Sequence, residues 1–298
     1  MMRGGAAPRR DLVRFRMADI SVNLSAESPM KLAVFGAMDK FLVESGEPDV
    51  EVAASFRELN SGVAGAKIFE SGSLWQLYRD NGNHVFRMSF AGSEVPYKVA
   101  RFNLDFSRGE VSLNTEYWKA DEPHDPLGYP LDELLIINLL ANGRGAEVHA
   151  SGIIDASGKA YLFIGNSSAG KTTMTRLWAK HDGVKVLSDD RIIIRKRNGA
   201  PRIYGTPWHG EGDYALNAQA PLDAVFFLKQ WPKNEIVPLR KVEAAARFVS
   251  CAFIPFYNPA GLEFTLGFLD AIVNEVPCYE LRFVPDQTAV DFVRQTSR

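Results

Sequence analysis

Eight residues from Gly165 to Thr172, reading Gly-Asn-Ser-Ser-Ala-Gly-Lys-Thr, carry the most specific chemistry in the chain. They satisfy G-x-x-x-x-G-K-[ST], a loop whose backbone N–H groups curl around phosphates. Asn166, Ser167, Ser168, Ala169 and Gly170 are all small, as successive amides must be to close on an anion. YLFI precedes the loop and TTMTRLWAKH follows it, so the loop would run from a strand into a helix. The N-terminus of that helix adds roughly half a positive charge. Lys171 would reach the β- and γ-phosphates of a nucleoside triphosphate and act on the transferred group. Thr172 would offer its hydroxyl to Mg2+, and Thr173 continues the same nucleotide-binding stretch. ATP with Mg2+ is the expected ligand pair; the loop reads phosphates and not the base, which leaves GTP open. The competing reading is a Gly-rich strand-to-helix turn with no ligand.

Asp189 and Asp190 follow the apolar run VKVLS. Adjacent residues at the end of an extended strand point to opposite faces, so one carboxylate can face a metal and its neighbour a substrate hydroxyl. Two acids allow two roles, a metal ligand and a proton acceptor; the alternative is that one of them caps a turn. His149 lies near the start of the strand pair that delivers the loop, where it is either structural or brought beside the phosphates. Further on, GTPWHGEGD at 205 to 213 combines a rigid Pro, flexible Gly residues and polar His209, Glu211 and Asp213. Such a segment suits either a loop over a site or a solvated surface.

The elements that must position these residues fall into two parts. Residues 19–122 read as short strands broken by Gly, Asn and Ser, a β-rich scaffold or recognition domain. LWQLYR and HVFRMSF flank Asp80-Asn81-Gly82-Asn83 as the arms of a hairpin. YKVARFNLDF and EVSLNTEYW are expected to turn at Ser107-Arg108-Gly109. Residues 1–18 read as an N-terminal tail. Prolines between Pro123 and Pro130 mark a boundary, and LDELLIINLLANGRG then carries a helical apolar face up to a stop at Asn142-Gly143. Residues 123–298 alternate strand and helix, the rhythm of an α/β (α+β) domain. Helices are expected around 242–250, 260–274 and 287–296, and Asn198-Gly199 signals another tight hairpin.

Composition narrows the partners. The 34 Lys and Arg residues balance 36 Asp and Glu, so the chain lacks the basic field that duplex nucleic acid selects. No apolar run approaches the roughly 20 residues of a membrane span, and the N-terminus lacks a secretory apolar stretch. A cytoplasmic location is the expectation, with neither nucleic acid nor membrane as partner. The two cysteines, Cys251 and Cys278, have no metal-ligand spacing and read as buried reduced thiols.

With His149, GNSSAGKT and Asp189-Asp190 in one line, residues 145 to 285 resemble the HPr kinase/phosphorylase family, whose P-loop domain is related to phosphoenolpyruvate carboxykinase. In that family a histidine opens the strand pair, a phosphate loop follows, and an Asp-Asp pair comes shortly after. The resemblance implies an HPr-kinase-like domain preceded by the β-rich one. It also implies ATP-dependent phosphorylation of a serine hydroxyl in a protein or peptide, with Asp189 as base and Asp190, beside Thr172, on the metal. The family's members resemble hexamers, which makes a homo-oligomer an expectation here. Two departures stand out. The family's loop usually reads G-K-S followed by Glu, whereas here Thr172 is followed by Thr173; and the later E-[IVLM]-R-G-x-G signature is missing. The chain therefore looks like a divergent branch resembling serine kinases that tailor small ribosomal peptides.

Three readings follow. A serine kinase uses every component named above. A nucleotide-gated accessory module would bind ATP and dock a partner without turnover. Carboxykinase-like chemistry on a small acid would need Arg clamps and a second metal with His and Lys ligands; Arg191, Arg195 and Arg202 are available, and their strand spacing reads equally well as a solvated hairpin face.

Overall fold

Apolar and basic residues alternate in Leu12–Met17, so one face of the segment can enter a core while Arg14 and Arg16 stay on the other. The computed structural model, which describes residues 10–62, 65–72, 74–166 and 169–296, makes this segment strand β1. Val13, Phe15 and Met17 are buried. Residues 12–17 are thus part of the sheet and not of a tail, a correction to the reading of 1–18. Charge at every second position disguised a half-buried strand.

The first compact unit ends at Leu139. After β1 come β2 (Ile20–Ala26), β3 (Lys31–Leu32), β4 (Val50–Arg57), β5 (Ala66–Glu70) and β6 (Trp75–Asp80). Then follow β7 (Asn83–Ser89), β8 (Pro96–Phe102), β9 (Arg108–Asn114), β10 (Pro123–His124) and helix α1 (Leu131–Leu139). Eight of these strands form one sheet in the order β1-β2-β4-β9-β8-β7-β6-β5. The β6–β7 turn is Asn81-Gly82, both at positive φ as a two-residue hairpin requires. Between β8 and β9 the turn lies earlier than expected, with Phe106 at φ 62°, and Arg108 and Gly109 already belong to β9. Gly109 is needed there for space: a Cβ would stand 2.4 Å from the Phe102 ring.

Residues 123–139 belong with this first unit, whereas the prolines suggested a division at 122/123. Long-range contacts explain the difference. β10 pairs with β3, the His124 ring packs edge-on against Phe56, and Lys98 Nζ donates to Gly128 O at 3.2 Å.

The second unit begins at Leu140. It contains β11 (Ala146–Ile154), β12 (Ala160–Ile164), α2 (Lys171–Trp178), β13 (Lys185–Ser188), β14 (Arg191–Arg197), β15 (Ala200–Tyr204) and β16 (Gln219–Pro221). β17 (Ala224–Gln230), β18 (Glu235–Pro238), α3 (Lys241–Val249), α4 (Pro259–Glu275), β19 (Cys278–Phe283) and α5 (Thr288–Thr296) complete it. Its sheet runs β16-β15-β14-β11-β12-β17-β19-β18, with β13 also paired to β11. β12, β17 and β19 are mutually parallel, and the other pairings are antiparallel. The whole chain is a mixed α and β structure with separate sheets.

Strand β12 and the first five residues of β17 are apolar because helices cover both faces, whereas β19 carries Glu280 and Arg282 among its apolar residues. Leu162, Ile164, Val225 and Phe227 point into one core with Ala244 and Phe248 of α3 and Leu269, Ile272 and Val273 of α4. Their neighbours Tyr161, Phe163, Phe226 and Leu228 point into the other, with Met174, Leu177 and Trp178 of α2 and Val290 and Val293 of α5. Each such large side chain contributes about 1.5–3 kcal/mol on burial. At the start of α4 the Asn258 side chain accepts from Gly261 N at 3.1 Å, a cap of about 1 kcal/mol.

Candidate functional site

The loop of small residues leaves the end of β12 and enters α2, the strand-to-helix placement its pattern demands. Gly165 and Gly170 are required sterically. A Cβ on Gly165 would lie 2.5 Å from Ala169 Cβ, and Gly170 sits at φ 101° with only 2.7 Å between a Cβ and the Phe283 ring. Gly170 is also the N-cap of α2 and supplies no side chain to its first amides. Ser167 and Ser168 lie outside the described residues.

The helix is pinned by a hydroxyl pair. Thr175 Oγ1 donates to Lys171 O at 2.9 Å and lies 2.7 Å from Ser151 Oγ on β11, with both side chains fully buried. Lys171 curls back over the loop, donating from Nζ to Gly165 O at 2.6 Å and Asn166 O at 3.4 Å. It is 8% exposed and makes no ion pair among the described residues. Burial pushes its pKa below the usual lysine value, Arg191 adds to the depression, and the charges of Asp190 and Cys251 oppose it.

Asp189 and Asp190 occupy the bend between β13 and β14. Ser188 shapes that bend: its buried Oγ accepts from Asp190 N and Arg191 N, each at 3.2 Å, and donates to Trp208 O at 3.0 Å. The two carboxylates then diverge. Asp190 Oδ1 accepts from His149 Nε2 at 2.8 Å, and Oδ2 contacts Arg191 Nη1. Burial disfavours charge on Asp190, yet the His149 hydrogen bond and the charges of Arg191, His149 and Lys171 outweigh it and hold the carboxyl below its usual range. Arg191 is itself held over the Phe253 ring, 4.3 Å from its centroid.

Asp189 is 2% exposed, and both its oxygens are engaged by the 205–213 segment. Oδ1 accepts from Gly210 N at 2.9 Å and Oδ2 from Gly212 N at 2.8 Å. Both glycines permit this approach, since a Cβ would stand 3.2 Å and 2.6 Å from Oδ2. Thr206 fastens the same segment by donating to Arg191 O at 2.7 Å. Beyond the latch, His209 Nδ1 lies 3.3 Å from exposed Asp213.

A cleft of about 490 Å³ gathers these groups. His149, Asn166, Gly170, Lys171, Thr172, Thr173, Asp189 and Asp190 line it, as do Gly210 and Glu211. Gln230, at the end of β17, also lines it and was not anticipated; it arrives because β17 is the parallel neighbour of β12. Arg191, expected as a carboxylate clamp or on a solvated hairpin face, braces Asp190. Arg195 donates instead to Arg144 O and Arg202 to Gln219 Oε1, and neither lines the cleft. Cys251 and Cys278 are both free and buried.

The arrangement can seat an anion beside a buried cation and the uncapped start of a helix, with two carboxylates opposite. Among the described residues no helix is long and apolar enough to cross a membrane.

Comparison with known proteins gives two findings. A family model described as "SynChlorMet cassette protein ScmC" matches residues 132–263. Among solved structures, the chain is similar to the Hpr(Ser) kinase/phosphatase from Coxiella burnetii at 14% identity, over 50% of this chain and 95% of that one, with a TM-score of 0.29. No curated protein matches.

Proposed function

We propose that the protein is an ATP- and Mg2+-dependent kinase that transfers the γ-phosphate to a serine-type hydroxyl of a protein or peptide, using an HPr-kinase-like phosphate loop. The observation that carries this reading is Lys171: a buried ammonium whose partners among the described residues are carbonyls, at the start of α2, facing Asp189 and Asp190 across one cleft. A buried cation without a counter-ion is costly, and a polyphosphate would complete it.

The chain's groups divide the work. Backbone N–H groups of the loop and the first turn of α2 hold the phosphates, and Lys171 swings from Gly165 O onto them. Thr172 and Asp190 are the groups that would hold Mg2+, whose charge would neutralise the transferring phosphate. Among the described residues no three His, Cys, Asp or Glu side chains form a metal cage, and Mg2+ requires none, because it binds through one or two carboxylates, phosphates and water. His149 and Arg191 orient Asp190 and keep it ionised. Asp189, once the 210–212 backbone releases it, accepts the hydroxyl proton as the acceptor oxygen bonds to the γ-phosphorus and the bond to the ADP oxygen breaks.

One observation favours a second reading, a nucleotide-gated accessory module. Both oxygens of Asp189 are satisfied by backbone amides, as in a purely structural carboxylate.

Calorimetric titration with ATP, with and without Mg2+, alongside Lys171→Ala, tests nucleotide binding. Binding that depends on Mg2+ and is lost in the variant is expected, and absence of binding in folded wild type overturns both readings. A labelled-phosphate search with candidate peptides then separates them: a phosphopeptide supports the kinase, and tight ATP binding without product supports the module.

A further inference from the structure

A second cleft, of about 390 Å³, lies in the first unit on the β5–β7 side of its sheet. Its floor contains Arg87 of β7, the cross-strand partner of Gln76 on β6. Arg87 is 8% exposed. Its Nη1 donates to Ser61 O at 2.9 Å, whereas Nε is buried with no hydrogen-bond partner, and no carboxylate pairs with the guanidinium among the described residues. A guanidinium is always charged, presents a planar fork matched to a carboxylate, and is seldom buried without one.

One part of the wall is apolar, among polar neighbours that include Ser61, Gln76 and Ser93. Leu74 and Phe90 are each 50% exposed, and Trp75 and Tyr78 stand beside them. Phe90 is braced by the Tyr97 ring, stacked with centroids 4.6 Å apart, so the wall is prearranged. Glu70 also lines the cleft, but its carboxylate already accepts from Lys67 Nζ at 2.7 Å and Gln76 Nε2 at 2.8 Å, which leaves Arg87 to a ligand. Glu94 lines the cleft as an exposed side chain.

We propose that this cleft docks an acidic residue of the peptide acceptor, a Glu or Asp adjacent to an apolar residue, with the carboxylate on Arg87 and the apolar neighbour against Leu74 and Phe90. That the occupant is a peptide rests on the kinase reading; the carboxylate chemistry rests on Arg87. The half-exposed wall suits an extended segment laid across the cleft, with its flanking backbone left in water.

The test uses the full chain without nucleotide and two fluorescein-labelled peptides, Gly-Ser-Glu-Leu-Ser-Gly and its Gln counterpart, followed by fluorescence anisotropy. Wild type should bind the Glu peptide at least about tenfold more tightly than the Gln peptide. Arg87→Gln should abolish that preference, and equal binding of the two peptides by folded wild type overturns the proposal. If Arg87→Gln fails to fold, Phe90→Ala at the exposed wall should weaken the Glu peptide several-fold, and unchanged affinity there overturns it equally. Competition by glutarate at the same concentration as the peptide would show that the wall adds nothing, which overturns a peptide as occupant. Arg87-dependent binding without phosphoryl transfer defeats only the kinase reading, and transfer with both peptides bound alike defeats only the docking site.

Discussion

His149 Nε2 donates to Asp190 Oδ1 across 2.8 Å, a contact set by the antiparallel pairing of β11 with β14, in which His149 is opposite Arg191. The pair makes His149 a positioning group for the carboxylate proposed to hold Mg2+. Removing such an outer partner typically costs about 10- to 100-fold in metal affinity. His149→Ala should therefore raise by that factor the Mg2+ concentration needed for half-maximal ATP binding. A shift under about threefold would mean that the pair only stabilises the sheet.

The backbone of Gly210 and Gly212 closes on Asp189, and a Cβ at 212 would stand 2.6 Å from Asp189 Oδ2. Gly212→Ala should push the segment off the carboxylate. Local opening exposes the chain to protease, so cleavage after Glu211 by a glutamate-specific endoprotease should accelerate several-fold. Mass spectrometry of the fragments reads this directly, and an unchanged rate would show that Asp189 does not hold the segment.

Thr175→Val keeps the shape of α2 but removes the partner of the buried Ser151 hydroxyl. An orphaned buried hydroxyl costs about 1–3 kcal/mol. Urea unfolding followed by tryptophan fluorescence, to which Trp178 in the same helix contributes, should show that loss. Stability within about 0.5 kcal/mol of wild type would mean that the two hydroxyls do not bond.

His84 provides a pH dependence in the first unit. Burial lowers its pKa to about 4, with the nearby Arg79 charge acting in the same direction. The unfolded value is about 6.5, so between the two the unfolded chain binds the extra proton. Stability from this group is thus complete above about pH 6.5 and is lost as pH falls toward 4, by about 3 kcal/mol in all. An NMR titration of the His84 ring should show it neutral down to about pH 4. Protonation near 6.5 would contradict the buried, Phe106-stacked environment of the ring.

Features set by neighbouring residues were legible from sequence. The Asn81-Gly82 and Asn198-Gly199 turns depend on local φ alone, and both lie at positive φ between paired strands. Helices α3, α4 and α5 fall within a residue of their expected limits, because apolar periodicity, the Asn258 cap and Pro259 act within one or two turns. Loop, histidine and aspartates also converge on one cleft. Distant pairing was not legible. No local pattern brings Gln230 to the cleft or Gly210 to Asp189. Both depend on contacts between segments far apart in the chain, which a single sequence does not encode as a readable period.

The two thiols have a practical consequence. Both are buried and unpaired, and burial pushes Cys278 up to about 11, far from the reactive thiolate range. The surface of the native protein is therefore almost silent toward alkylating dyes. A single cysteine placed at exposed Glu211 would be the fast-labelling position, and a fluorophore there would report the opening and closing of the 209–213 segment in real time.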